Sequence, residues 1–280
     1  MELARHLRGG GGDHRLYRRL PGPPRPRAQP FLRRPPVAMI RCLVIAACVA
    51  TSTAAELATV KWNGTVFETF TASPNQVELF WLDAAGKPFR QFSALQSALE
   101  KQGKSIRFMM NAGIFEEGGI PSGLVVIEGK CLRPLNTADG KGNFYLKPNG
   151  VFYVESSTAR VVSTEEYATR KPSPRVATQS GPLLLRNGHI HPAFRPASHN
   201  RLHRNGAGIK KDGSVFFAVT EFGQSRFPNL YEFAGFFRSQ GCTDALFLDG
   251  DLSQMIVNPK TTITPGNHFG AIFAVTEPKK

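Results

Sequence analysis

The chain has 280 residues, 41% of them hydrophobic, and a formal net charge of +14. That length holds one large domain or two small ones with a sizeable core, and the hydrophobic share is that of an ordinary globular protein. Residues 1–41 carry ten Arg against Glu2 and Asp13, so most of the excess charge belongs to the N-terminus and argues against a nucleic-acid-binding domain.

Residues 1–38 are rich in Pro and Gly and lack apolar periodicity. They read as a disordered tail or as a start placed ahead of the true one at Met39. Residues 39–55 read as a signal peptide: Arg41 gives a positive start, Cys42 to Ala50 an apolar run, and Thr51 to Ala55 small residues for cleavage. This predicts an exported, periplasmic or secreted protein. The apolar run is about half the ~20 residues a spanning helix needs, so no permanent membrane span is expected. Ile45-Ala46-Ala47-Cys48 resembles a lipoprotein cleavage box but lies close to Met39, and a lipid anchor at Cys48 ranks second. The mature chain, 56–280, reads as a single domain.

Leu57 to Trp62, Thr65 to Phe70 and Val77 to Trp81 alternate and are β-branched, which predicts a strand meander turning at Asn63-Gly64 and Ser73-Pro74-Asn75. Phe92, Leu95 and Leu99 follow helical spacing and predict a helix over Phe89 to Gln102, stopped by Gly103. Further strands are expected at Ile106 to Met110, Gly123 to Ile127, Phe144 to Leu146, Val151 to Glu155, Arg160 to Val162, Ala207 to Lys210 and Val215 to Thr220. Asn229 and Glu232 suit a capping box for a helix over Leu230 to Gln240, with an apolar stripe of Leu230, Phe233, Ala234 and Phe237. Strands at Ala245 to Leu248 and Ala271 to Val275 complete an α+β fold with a mixed, largely antiparallel sheet and few helices. Cys131 and Cys242 suit either a disulfide or two buried thiols.

Four segments end in small and polar residues, where glycine permits close backbone approach to a ligand. They are Asn111-Ala112-Gly113-Ile114-Phe115, Pro121-Ser122-Gly123-Leu124, Ala177-Thr178-Gln179-Ser180-Gly181-Pro182 and Leu248-Asp249-Gly250-Asp251-Leu252-Ser253. Asn111 suits a sugar hydroxyl and Phe115 a sugar face, against the plainer reading of a structural turn. Ser180 lacks the flanks of a nucleophile elbow. Asp249 and Asp251, two positions apart, suit acid–base work, a divalent cation, or a solvated Asp-Gly turn. Arg204, ahead of Asn205-Gly206, suits bidentate phosphate binding, or is a surface Arg. His189 and His191 share a strand face but lack a third ligand, so no zinc site is assigned. His199, His203 and His268 stand isolated, and no nucleotide fingerprint occurs.

In that order these segments, with Arg204-Asn205-Gly206-Ala207-Gly208, resemble the phosphodiester glycosidase family from about Phe108 onward, in a variant like an exported bacterial branch. The resemblance implies a hydrolase that cuts a sugar-1-phosphodiester at the anomeric carbon in the cell envelope, with a carbohydrate phosphodiester as partner and no cofactor. It implies Asp249 as the catalytic carboxylate, Asp251 assisting, and Arg204 on the phosphate. Asn111, Gln179, Ser180 and Ser253 would orient the sugar. Gly113, Phe115, Ser122, Gly123, Gly181, Asn205 and Gly250 would line the site. Many members have Leu-Asp-Gly-Gly-Gly-Ser where this chain has Asp251-Leu252 before Ser253, which bears on substrate more than fold. Two alternatives stand beside this: Asp249 and Asp251 holding Ca²⁺ or Mg²⁺ in a phosphodiesterase, and a non-catalytic glycan-binding module using Trp62, Trp81, Phe115 and Phe227 as stacking faces.

Overall fold

The pairings between the described strands are all antiparallel, where a mixed, largely antiparallel sheet was expected. The computed structural model describes residues 56–250, 252–257 and 268–279, together with Gly22. The expectations for residues 1–38 and 39–55, and for Asp251, therefore lie outside the described residues. From Glu56 on, the described residues fall within one compact unit.

Three sheets carry the α+β fold. A seven-stranded sheet runs in the order Glu56–Trp62, Thr65–Ala72, Val215–Thr220, Asn205–Lys210, Cys242–Asp249, Leu183–Arg186, His189–Ile190. A five-stranded sheet runs Thr158–Ser163, Gly150–Glu155, Val176–Ser180, Val125–Ile127, Lys130–Arg133. A four-stranded sheet runs Met255–Ile256, Lys104–Asn111, Ile272–Pro278, Glu78–Phe80. A short pairing of Phe115–Glu116 with Ile120–Pro121 stands apart.

The strand period of two decides how these layers pack. In Val215–Thr220, Phe217 points into a core shared by all three sheets, while Phe216 points to the opposite face. In the shared core Phe70 stacks on Phe108 at 4.5 Å, Phe108 lies 4.7 Å from Phe217, and Phe273 meets Phe152 edge-on at 5.1 Å. Each sheet buries its other face under one helix. Leu230–Ser239 covers the seven-stranded sheet through Phe233, Phe236 and Phe237. Phe92–Lys101 covers the four-stranded sheet through Phe92, Leu95 and Leu99. Thr164–Arg170 covers the five-stranded sheet through Tyr167. Among the described residues no helix is long and apolar enough to cross a membrane.

The predicted capping box is present: Asn229 Oδ1 accepts the Glu232 N–H at 2.9 Å, and the Glu232 carboxylate accepts the Asn229 N–H at 3.4 Å. Other expectations are corrected. The first helix begins at Phe92, not Phe89, because Arg90 takes a positive φ of 60° that no α-helix accommodates. Phe144 to Leu146, expected as a strand, is a 3₁₀ turn over Asn143–Tyr145. The helix Thr164–Arg170 was not expected, although Ser163-x-x-Glu166 is a capping signature; the Ser163 hydroxyl accepts the Glu166 N–H at 3.1 Å. Cys131 is exposed and Cys242 buried, both as free thiols, so no disulfide joins them.

Candidate active site

Strand ends from all three sheets arrive at the same place. Lys104–Asn111 delivers Asn111, Val176–Ser180 delivers Ser180, and the adjacent strands Asn205–Lys210 and Cys242–Asp249 deliver Asn205 and Asp249. The last two are register partners, and a bulge separates this pair from Gly206 opposite Phe247. Such a bulge breaks the alternation and re-aims a side chain. Here the Asp249 carboxylate turns toward Asn111, whose Nδ2 donates to Asp249 Oδ2 at 3.3 Å. Asp249 Oδ1 accepts the Gly250 N–H at 2.7 Å, and the carboxylate is half-buried.

A buried polar chain extends from that contact. Asn205 Nδ2 donates to Asn111 Oδ1 at 2.9 Å, and the Ser253 hydroxyl donates to Asn205 Oδ1 at 3.0 Å. The Gln254 N–H also donates to Asn111 Oδ1, at 3.0 Å. Asn111, Asn205 and Ser253 are almost fully buried. Their bonds satisfy groups that would otherwise be costly to desolvate.

Ser180 lies beside this chain as a stitch between sheets. Its hydroxyl donates to the Leu248 carbonyl at 2.9 Å and accepts the Ile114 N–H at 3.3 Å. Gly113 has a φ of 143°, and a Cβ there would sit 3.4 Å from Ser180 Cβ and Thr178 Oγ1. The turn after Asn111 therefore favours glycine and close approach. Gly250 is half-buried in the turn between Asp249 and Ser253, whose N–H donates to the Gly250 carbonyl at 2.8 Å. Phe115 is half-buried opposite Pro121.

Several other expected site residues are buried. Arg204 is 1% exposed. Its Nε donates to the Pro228 carbonyl at 3.2 Å, and Nη2 donates to the Asn200 carbonyl and Oδ1 at 3.0 and 3.2 Å. The guanidinium also lies 5.6 Å from the Phe247 ring centroid, toward the Leu230–Ser239 helix. These bonds brace the segments around Asn200 and Pro228. Gln179 is likewise buried, with a fully engaged amide. It accepts the Leu124 and Asn136 N–H groups at 3.1 and 2.8 Å and donates to the Asn136 carbonyl and Thr164 Oγ1 at 2.7 and 3.1 Å. Gly123 packs against it: a Cβ there would fall 2.3 Å from Gln179 Oε1. Ser122 is buried, its N–H bound to the Ile114 carbonyl and its carbonyl to Asn136 Nδ2. A Cβ on Gly181 would fall 2.6 Å from Asn149 Cβ. These four residues build the support beneath the site.

The structure also supplies a residue that looked isolated. His203 Nε2 lies 2.7 Å from the Ser253 carbonyl, and Thr220 Oγ1 lies 2.7 Å from His203 Nδ1. A carbonyl can only accept, so Nε2 carries a proton in this arrangement, and in the neutral imidazole Nδ1 accepts from the Thr220 hydroxyl. Thr220 Oγ1 in turn accepts the Arg204 N–H at 3.0 Å. His203 stands two positions ahead of Asn205, in the segment that leads into the strand Asn205–Lys210.

Of the proposed stacking residues, Trp62 packs on Phe236 at 6.1 Å, and Trp81 is buried with Nε1 donating to the Gly119 carbonyl at 2.9 Å. Phe227 stands edge-on to His203 at 6.0 Å. His191 is buried and its neighbourhood holds its imidazole below the usual histidine range by desolvation. Among the described residues no cluster of three His, Cys, Asp or Glu forms a cation site.

A model of the phosphodiester glycosidase family matches residues 104–274. The chain is 34% identical over 191 residues to the uncharacterized protein YigE of Escherichia coli, a match covering 67% of this chain and 73% of that one. Among solved structures, the catalytic domain of zebrafish N-acetylglucosamine-1-phosphodiester alpha-N-acetylglucosaminidase, auto-inhibited by its pro-peptide, matches with a TM-score of 0.57 at 16% identity. That match covers 80% of this chain and 82% of the zebrafish one. A hypothetical protein from Synechocystis matches with a TM-score of 0.52 at 14% identity, over 79% of this chain and 61% of that chain. At these identities the structural matches are likenesses of fold.

Proposed function

This chain belongs to the phosphodiester glycosidase family, and on that premise we propose that it hydrolyses a sugar-1-phosphodiester, breaking the bond between the anomeric carbon and the phosphate oxygen. The observation that carries the reading is the Asp249 carboxylate held by Asn111 and the Gly250 N–H where three sheets meet. Glycosidic cleavage passes through an oxocarbenium-like state, which a carboxylate stabilises directly or by delivering water. Asp249 takes that role, and the phosphate departs as an anion that needs little help from a general acid. Asn111 and Ser253 hold the carboxylate and its turn in register. Arg204 acts from behind the strand by fixing the loops around Asn200 and Pro228.

The test is a panel of N-acetylglucosamine, glucose and galactose 1-phosphodiesters in ¹⁸O-labelled water. The expected products are free sugar carrying the label and an unlabelled phosphomonoester. Label in the phosphate would replace this reading with P–O cleavage, the chemistry of a metal-dependent phosphodiesterase. Binding without any cleavage would leave a glycan-binding module.

The proposed location is the cell envelope, periplasmic or secreted, supported by the signal-like composition of residues 39–55. Mass spectrometry of the mature N-terminus tests it: an unprocessed terminus overturns export, and a lipidated Cys48 replaces free release with anchoring.

A further inference from the structure

The exposed large hydrophobic side chains among the described residues are Ile120, Leu202, Phe222 and Leu252, at 39, 38, 72 and 44% exposure. Single exposed apolar residues are normal on a protein surface; their concentration at one place is not. Three of these four lie in segments that converge on one hydrogen bond. Leu202 precedes His203, Leu252 precedes Ser253, and His203 Nε2 is bonded to the Ser253 carbonyl. Phe222 lies against the same imidazole, its ring edge-on at 4.9 Å. Half-buried Phe227 approaches that imidazole at 6.0 Å.

The exposure of Phe222 is built into the loop. Gln224 fastens the segment by donating to the Glu221 and Val66 carbonyls at 2.9 and 3.0 Å and accepting the Val66 N–H at 2.8 Å. Arg226 fastens it again, through the Asn63 carbonyl and through Glu232 at 2.9 Å. Phe222 is thus carried outward by a loop anchored at its root, beside the turn that holds Asp249.

We propose that this rim is a subsite for an apolar aglycone: the alcohol esterified to the phosphate carries an alkyl or aryl group that Phe222, Leu252 and Leu202 cover. This deepens the proposed reaction and rests on it for the polar half of the substrate. The division of chemistry favours the aglycone over the sugar. Hydroxyl-bearing sugar edges require donors and acceptors, which Asn111, Ser253 and Asp249 supply and the two leucines and the phenyl ring lack. An alkyl or aryl group needs only apolar surface removed from water.

The experiment measures binding of methyl and octyl diesters of each sugar-1-phosphate in the panel above, by calorimetry at concentrations where the octyl diester is monomeric. The wild-type protein is expected to bind the octyl diester about tenfold more tightly than the methyl one, a factor worth roughly 1.4 kcal/mol. Phe222→Ser and Leu252→Ser each shrink that ratio, and the pair together bring it near unity. Phe222→Tyr, which keeps the ring, retains most of it. Equal affinity of the wild type for both diesters overturns the proposal, as does a chain-length preference that survives both serine variants, or no binding of any diester. Cleavage of the same diesters is read separately by released sugar. Bound but uncleaved diesters with an intact octyl preference would sink the reaction and leave the rim standing.

Discussion

Asn205 Nδ2 donates to both the main-chain and the side-chain oxygen of Asn111, at 3.0 and 2.9 Å, across 94 positions of sequence. One amide thereby ties the seven-stranded sheet to the four-stranded sheet and leaves Asn111 Nδ2 free to turn to Asp249. Asn205→Ala would withdraw both donors and leave the Ser253 hydroxyl without its acceptor. The expected loss is about 1–3 kcal/mol, the cost of orphaned buried polar groups. Urea denaturation of the single and double variants at positions 111 and 205 checks this. A coupling of roughly 0.5–3 kcal/mol is expected for residues in one network, and additive effects would show that the network is not a unit.

Asp249→Asn keeps the shape of the side chain and an oxygen for the Gly250 N–H, and removes the charge. The fold is expected to survive, and sugar release to fall by about 10²–10⁴-fold, the usual contribution of a positioned carboxylate. Activity within tenfold of wild type would remove Asp249 from the reaction.

His203 touches the turn through the Ser253 carbonyl and is a positioning residue. His203→Ala is expected to lower kcat by roughly 10–100-fold with a smaller change in KM, because misplacing a reacting group by about 1 Å costs that much. His203→Gln, whose amide can still donate to the Ser253 carbonyl, restores most of kcat. Equal losses in both variants would mean that bulk, not the hydrogen bond, is what matters.

Glu232 joins Arg201 and Arg226 and caps the Leu230–Ser239 helix. The Arg201 hydrogen bond, followed by the charges of both guanidiniums, holds its carboxyl below the ordinary value of 4.5, against desolvation. A depressed folded value contributes stability above the ordinary value and loses it as pH falls through the lowered one. Glu232→Gln should therefore be less stable than wild type at neutral pH, and the gap in Tm should close below about pH 4.5. A gap unchanged at pH 3 would contradict the ion pair's part in it.

Cys131 is exposed, whereas burial pushes the Cys242 thiol up to about 12. Treating the folded protein with iodoacetamide and mapping peptides should find Cys131 modified and Cys242 protected until the chain is unfolded. Rapid labelling of Cys242 under native conditions would mean that its sheet opens readily.

Among the described residues, local physics made most of the long strands and two of the three α-helices legible, while Lys130–Arg133 and Leu183–Arg186 went unread. The alternation of Thr65 to Phe70 and Val215 to Thr220 encodes a strand whichever sheet it joins, and the Asn229 capping box and Gly103 stop mark helix ends by short-range bonds alone. The short motifs at Asn111, Ser180, Asn205 and Asp249 fall at strand ends that the structure brings together. What the sequence could not reveal was which side chains face one another. Gln179 and Ser180 are neighbours with opposite fates, one bracing Asn136 and the other stitching Leu248 to Ile114. Arg204 and Asn205 likewise diverge, toward Pro228 and toward Asn111.

By itself, then, the chain's own order determined the α+β class and its largely antiparallel character, since these depend on periodicity and backbone preferences within a few residues. Tertiary structure alone decided that Arg204 bonds to Pro228 and Asn200, that His203 meets the Ser253 carbonyl and that Cys131 and Cys242 are free thiols. Those outcomes turn on a bulge opposite Asn205 and on which sheet face each residue meets, relations between segments far apart in the chain.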